Sequence, residues 1–278
     1  MSKKDLPKLA AFVFLAGFGI IFLVPLLWTL LTSFKAEIEI QTLGYRFFPV
    51  KWTLENYKDA ISNTSSAPIA RWFLNSVLIS TTHTVLALII VSTSAYAYAK
   101  LEFKGKNFIF WSLMTTMMFP SVINLIPLYK IVQALGWVDN PLAVIVPGLG
   151  GVFNIYLVRQ FMLGIPKELS EAARIDGANE WQIFTRVIVP LSKPALTVVA
   201  LFAFTGSWND FLWPSIVMNS IEKMPLTPGL RLLQGVYDIE RAHLMASAII
   251  SILPTFILYL FAQKFFMKGI SLSSGVKG

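Results

Sequence analysis

The chain has 278 residues, of which 55% are hydrophobic and 14% charged, against about a quarter charged in a soluble domain, and this excludes an ordinary soluble globular fold. Its 23 Lys and Arg outnumber 15 acids for a net charge of +8, and the absence of Cys excludes disulfides, thiolate chemistry and cysteine-built metal sites. The two His, at 83 and 243, are too isolated to suggest a metal site, and no metal is expected.

Six segments, at about 9–34, 72–99, 107–129, 140–163, 194–218 and 242–263, are free of charge or nearly so. About 20 apolar residues suffice to cross a ~30 Å hydrocarbon core, and lipid leaves the backbone to satisfy itself, so each run predicts a helix. The expectation is an all-α membrane protein, a single transmembrane domain over 1–278 with six transmembrane helices.

The first segment follows Lys3, Lys4 and Lys8. Its apolar run exceeds the 7–15 residues of a signal-peptide core and lacks a small-residue cleavage site, so it reads as a retained span. After it, Trp52-Thr53-Leu54-Glu55-Asn56-Tyr57 predicts a short interfacial helix with aromatic anchors, a surface element in preference to a substrate contact.

In the second segment His83 sits in a polar band with Ser80, Thr81, Thr82 and Thr84. Interhelical hydrogen bonding is the preferred reading and pore lining the other. Pro141, Pro147, Gly148, Gly150 and Gly151 predict a kinked or interrupted fourth span, as a packing device or a hinge.

Between the fourth and fifth segments lies a polar loop, 165–190. Pro166 suits the first turn of a helix. Leu169, Ala172, Ala173 and Asp176 recur at helical spacing, and Gly177 sits where that helix should stop. Asn179 and Gln182 have the spacing of a capping box for a second helix. Glu168, Glu171, Asp176 and Glu180 gain nothing beside anionic lipid, so the helix–turn–helix is expected to dock a soluble partner. The fifth segment carries one acid, Asp210, beside Asn209. Charge at a helix centre costs ~3 kcal/mol, so these two are candidates for the translocation path, with helix capping as the equal alternative.

Positive residues orient the chain. With the N-terminus inside, 14 of the 23 Lys and Arg lie in inner segments and 9 in outer ones, which puts both termini in the cytoplasm. The basic balance is then a matter of lipid and topology, and no nucleic-acid partner is expected.

The loop residues Glu171-Ala172-Ala173, three residues, Gly177, nine residues, then Val187-Ile188-Val189-Pro190, resemble the EAA loop of permease subunits of ATP-binding-cassette importers, with Val187 and Val189 replacing Ile and Leu. Arg174-Ile175-Asp176-Gly177-Ala178, Trp52-Thr53-Leu54-Glu55-Asn56-Tyr57, Phe73-Leu74-Asn75-Ser76 and Trp208-Asn209-Asp210-Phe211-Leu212-Trp213 resemble the maltose-type carbohydrate branch. The tail Gly275-Val276-Lys277-Gly278 resembles its shorter, six-span partner. The resemblance implies a multi-pass plasma-membrane (inner-membrane) subunit that imports a sugar, paired with a second permease, two cytoplasmic ATPases and an extracytoplasmic sugar-binding protein. Glu171, Ala172, Ala173, Asp176, Gly177 and Pro190 would couple it to the ATPases. No G-x-x-x-x-G-K-[ST] loop or catalytic constellation occurs, so the chain is not expected to be an enzyme or to bind a cofactor, and ATP and Mg belong to the partner ATPase. A proton- or ion-coupled secondary carrier using Asp210 and His83 is the alternative, and a non-transport scaffold a third.

Overall fold

The computed structural model describes residues 6–42, 44, 46–62, 68–233 and 241–274, with no side chains described beyond Gln263. Lys3, Lys4 and the tail 275–278, which entered the sequence reading, lie outside the described residues. Among these, every regular element is helical: α1 Leu6–Ser33, α2 Glu37–Thr42, α3 Glu55–Ser62, α4 Ile69–Lys100, α5 Lys106–Thr116, α6 Leu125–Ala134, α7 Leu142–Ile145, α8 Val152–Leu163, α9 Lys167–Ile175, α10 Glu180–Ile183, α11 Val189–Leu191, α12 Lys193–Trp208, α13 Leu212–Val217, α14 Leu226–Leu232 and α15 Arg241–Ser274.

Three helical stretches are long and apolar enough to cross a membrane, Ala11–Ser33, Ile69–Lys100 and Arg241–Gln263, and five if each of two bent pairs counts as one crossing. Among the described residues the six segments are not six uninterrupted helices, and the exceptions have local causes. The 107–129 segment breaks after Thr116 at Pro120, and its halves meet at 95°. Proline has no amide to donate and pushes the residue before it out of the helical region. The 140–163 segment breaks between Ile145 and Val152, around Pro147 and Gly148, whose φ of +83° is left-handed. This is the interruption the Pro and Gly pattern predicts. The 194–218 segment ends as a helix at Trp208 and resumes at Leu212, so Asn209 and Asp210 occupy the break.

The chain forms two compact units, Met1–Arg71 with Gly229–Leu253, and Trp72–Pro228 with Pro254–Gly278. In the first, the predicted interfacial helix is α3. Its Asn56 amide donates to the carbonyls of Ser33 and Lys35, both at 2.8 Å, and Tyr57 bonds Ser33 Oγ at 2.6 Å, so it closes the end of α1. Glu37 Oε2 accepts the Ala242 amide at 2.8 Å and caps the start of α15.

In the second unit a buried cluster around Val91, Ala95, Val158, Met162, Ile188 and Val199 joins α4, α8 and α12. Trp72 donates to the Ile221 carbonyl at 2.6 Å, Asn75 to those of Glu222 and Met224 at 2.9 and 3.0 Å, and Ser76 Oγ accepts the Leu226 amide at 2.7 Å. The start of α4 thus holds the 221–226 segment.

Asp139 pins the same segment from another side. Its φ is +60°. Its amide donates to Val217, and its carboxylate accepts from the amides of Asn219 and Ser220, the Ser220 hydroxyl and the Lys223 ammonium. The Ser220 hydroxyl, then the surrounding donors, hold the carboxyl far below its usual range. Because the folded-state pKa is depressed, this stabilisation is complete above the unfolded value of ~3.9 and is lost as pH falls below it. Asp139→Ala is expected to lose about 2–3 kcal/mol, from left-handed strain plus orphaned donors. Asp139→Asn, which tolerates the same φ, should lose clearly less. Thermal unfolding in detergent at neutral pH checks the order, and equal losses would refute the strain component.

Candidate functional site

The 165–190 loop is built by short-range bonds. Pro166 precedes α9 as its N-cap, one position earlier than the first-turn place the sequence suggests. At the other end Gly177 adopts φ +83°. Its amide donates to Arg174 and that of Ala178 to Ala173, at 3.0 and 2.9 Å. These two bonds form a Schellman termination, which a left-handed residue makes possible. A Cβ at 177 would meet nothing within 4 Å, so glycine is required there by conformation and not by space. Asn179 then starts α10. Its Oδ1 accepts the Gln182 amide and its own amide donates to Gln182 Oε1, both at 2.9 Å, which completes the capping box.

From α10 the chain continues through a wider π turn, Phe184–Ile188, into α11. Pro190 in α11 has no amide to offer the carbonyl four residues back, and such gaps accompany widened turns. At Ser192 the path bends by 80° into α12.

The loop has two faces. Inward, Ile183, Phe184 and Ile188 are buried, with Ala173, Ala178 and Val187 packed on the same cluster as the end of α4. Ala173 is therefore an inward contact and Ala172 an outward one. Glu180 ties the parts together: the Tyr96 hydroxyl of α4 donates to its Oε2 at 2.7 Å, and Arg174 of α9 pairs with its Oε1 at 2.7 Å. Tyr96 first, then Arg174, holds the Glu180 carboxyl below its usual range. Lys100 adds a bond to the Ile165 carbonyl at 2.6 Å.

Outward, Ile175 is 87% exposed and Trp181 65%, beside exposed Leu169, Ala172, Glu171 and Asp176. The sequence reading passed over Ile175 and Trp181. The available signal was that each is a large apolar residue on a polar loop, Ile175 three residues after Ala172.

The translocation-path candidates lie elsewhere in the same unit. His83 bonds the Ile145 carbonyl through Nδ1 at 2.7 Å, and because a carbonyl only accepts, Nδ1 carries the proton. Its place is support of the broken fourth segment, in keeping with the hydrogen-bonding reading. Asp210 lies in the α12–α13 break, where Oδ1 accepts the Trp213 amide at 3.4 Å, and Asn209 is exposed beside it. Asp210 and His83 lie within electrostatic reach of each other. Among the described residues no group of His, Asp and Glu could hold a metal ion.

A family described as "Binding-protein-dependent transport system inner membrane component" matches residues 90–271. The chain is 36% identical to the arabinooligosaccharides transport system permease protein AraQ of Halalkalibacterium halodurans, over all of both chains. It is 34% identical to the inner membrane ABC transporter permease protein YcjP of Escherichia coli, over 100% of this chain and 99% of that one. Its fold is similar to a chain of a bacterial ABC transporter involved in the import of the acidic polysaccharide alginate, with TM-score 0.86, 26% identity, and 96% and 99% of the two chains covered.

Glu180→Gln weakens both bonds, of which the part-buried one from Tyr96 is worth roughly 1.5 kcal/mol and the exposed Arg174 pair adds little. Amide exchange across 173–183 should accelerate by ~10-fold, the equivalent of about 1.4 kcal/mol. Unchanged exchange would show that apolar packing alone seats the loop.

Proposed function

The chain belongs to the binding-protein-dependent transport system inner membrane component family, and from this premise we propose that it is one transmembrane subunit of an ATP-driven importer of a sugar or oligosaccharide. The observation that carries the coupling role is the α9–Gly177–α10 corner, packed on its inner side and presenting exposed Ile175 and Trp181 among acids on its outer one. In this reading the whole chain serves as one transmembrane domain with six crossings, the broken segments among them, and both termini in the cytoplasm. A second permease completes the pathway, two ATPase subunits supply ATP hydrolysis and Mg, and an extracytoplasmic binding protein delivers the sugar. This chain holds no cofactor of its own.

Sugar as the cargo rests on the full-length similarity to the arabinooligosaccharide permease. The mechanism is alternating access. ATP binds one arrangement of the ATPases more tightly, and only such differential affinity moves a conformational equilibrium. Shifting it from 1:99 to 99:1 takes about 5.5 kcal/mol, which the coupling surface has to transmit without bending. Glu171, Ala172, Asp176 and Gly177 form that surface, Ala173 and Pro190 fix its mount, and Asn209, Asp210 and His83 border the path.

The test uses the complex reconstituted with its genomic neighbours in proteoliposomes. Uptake should require ATP. Uptake driven by a proton or ion gradient without ATP would establish the secondary carrier instead. Glu171→Lys and Gly177→Leu should each cut ATP-driven uptake at least ~10-fold, by releasing the ATPase or by leaving its hydrolysis uncoupled. Gly177→Asn should be milder, since asparagine tolerates the left-handed corner. Normal uptake with normal ATPase co-purification in the first two variants would overturn the docking assignment. Asp210→Asn should lower uptake several-fold while assembly persists, and unchanged kinetics would return Asp210 to a capping role.

A further inference from the structure

A basic cavity lies at the root of the coupling loop. The end of α4, the start of α5, α8 and the first residue of α9 enclose a cavity of about 410 Å³, lined by Lys106, Arg159 and Lys167 with Glu102 as the acid at its edge. The charges are poorly compensated. Arg159 Nε donates to the Tyr98 carbonyl at 3.2 Å and its guanidinium lies 4.1 Å from the centre of the Phe110 ring. Its terminal amino groups have no partner among the described residues. Lys106 donates to the Leu101 carbonyl at 2.7 Å and to Glu102 at 3.2 Å, but the Glu102 side chain is 88% exposed, and an exposed pair neutralises little. Lys167 has no hydrogen bond or ion pair among the described residues, and Lys100 is within its electrostatic reach. The first turn of α5 adds donors: Gly105 at φ +82° offers no side-chain cap.

The rim is of opposite character. Phe103 and Phe108 line the cavity and are 41% and 78% exposed, and Trp111, one turn further along α5, is 63% exposed. Two half-buried cations, Lys106 and Arg159, with exposed Lys167 at the edge ask for an anion, and a free anion gains nothing from aromatic side chains at the mouth. An amphiphile gains from both.

We propose that this cavity binds the phosphate headgroup of an anionic phospholipid, with Lys106, Arg159 and Lys167 on the phosphodiester and the acyl chains running along Phe108 and Trp111. The proposal requires that α5 lie in the membrane and does not depend on which sugar is carried or on ATP. Basic pockets between membrane helices are the places where such headgroups are recognised, and juxtamembrane Lys and Arg are drawn to anionic lipid. Because Lys167 is also the first residue of α9, a bound headgroup would bridge α5 and α8 to the coupling helix, and the lipid composition would bear on how firmly that helix is mounted.

The test takes the complete transporter into nanodiscs of equal phosphatidylglycerol and phosphatidylethanolamine, then releases it into detergent for native mass spectrometry. The wild type should retain phosphatidylglycerol in preference to phosphatidylethanolamine. Lys167→Gln, an exposed position outside the packed core, should reduce that retention about fivefold. Glu102→Gln, which removes the acid, should raise it, and a gain cannot come from misfolding. Equal retention of the two lipids, or retention unaltered in both variants, would overturn the proposal. Displacement of the lipid by 10 mM inorganic phosphate, with phosphate itself binding, would assign the cavity to a soluble anion and overturn the lipid as its source.

Discussion

Hydrocarbon offers no hydrogen bonds, so a membrane helix that stops midway has to find partners for its freed carbonyls and amides inside the protein. This chain stops its helices often, and at several of these ends and breaks a side chain from elsewhere supplies a missing bond. Where the fourth segment is interrupted, Trp213 donates to the Ala143 carbonyl at 2.7 Å and His83 to that of Ile145. Where α4 ends, Arg159 bonds Tyr98 and Lys106 bonds Leu101. Asn56 does the same for the end of α1. An orphaned buried carbonyl costs about 1–3 kcal/mol, so each donor matters more than its own modest bond energy suggests. The interruption of the fourth segment is tolerable because His83 and Trp213 satisfy its carbonyls.

The 165–190 loop is held together differently. Its local geometry is closed by bonds three to five residues long, the Schellman pair at Ala173–Ala178 and the capping box at Asn179–Gln182. Those bonds need no help from the spans. What the spans contribute is position, through buried Ile183, Phe184 and Ile188 and through Glu180 held by Tyr96. On the proposed reading the outward face then presents Ile175 and Trp181 to a partner. Covering a large apolar side chain is worth about 1.5–3 kcal/mol, against at most about 1 kcal/mol for an exposed ion pair. Affinity would therefore come mainly from the two apolar residues the sequence reading overlooked, while Glu171 and Asp176 set register and steer approach.

The contrast explains which features were legible in the sequence. A capping box and a glycine stop are contained within a few residues, so Asn179, Gln182 and Gly177 announced themselves. The all-helical character followed from uncharged runs long enough to cross a bilayer. Continuity of those runs did not, because hydropathy reports partition into lipid and is silent on whether the hydrogen-bond ladder persists. Pro120 and Pro127 both lie in their segment, and neither was weighed as a breaker. Asn209 and Asp210 were read within one continuous span, as path lining or equally as a helix cap, and they occupy a gap between two helices. Bonds such as Trp72 to Ile221 and Asn75 to Met224 each span 149 residues, a distance at which no local pattern carries information. The Phe73-Leu74-Asn75-Ser76 phrase could be matched to a family, but its use, holding the 221–226 segment, required the fold.

The broken helices also bear on how motion would pass through the chain. The stretch from Glu180 to Leu191 turns by 80° into α12, and α12 ends at the Asn209–Phe211 break beside His83. On the proposed reading a displacement at the loop would be delivered at one end of α12 to a packed cluster and at the other to a junction of short pieces. Packed clusters resist gradual deformation and switch between discrete arrangements, whereas a junction of helix ends can re-aim with few bonds exchanged. Continuous helices through 194–218 and 140–163 would have to tilt as whole rods to open a passage. Broken ones need only rearrange around Asp210 and the Ile145 carbonyl, at the cost of the bonds that satisfy them. On the proposed reading, the hydrogen bonds that make the interruptions tolerable in lipid are then the same bonds whose exchange would mark the passage from one access state to the other.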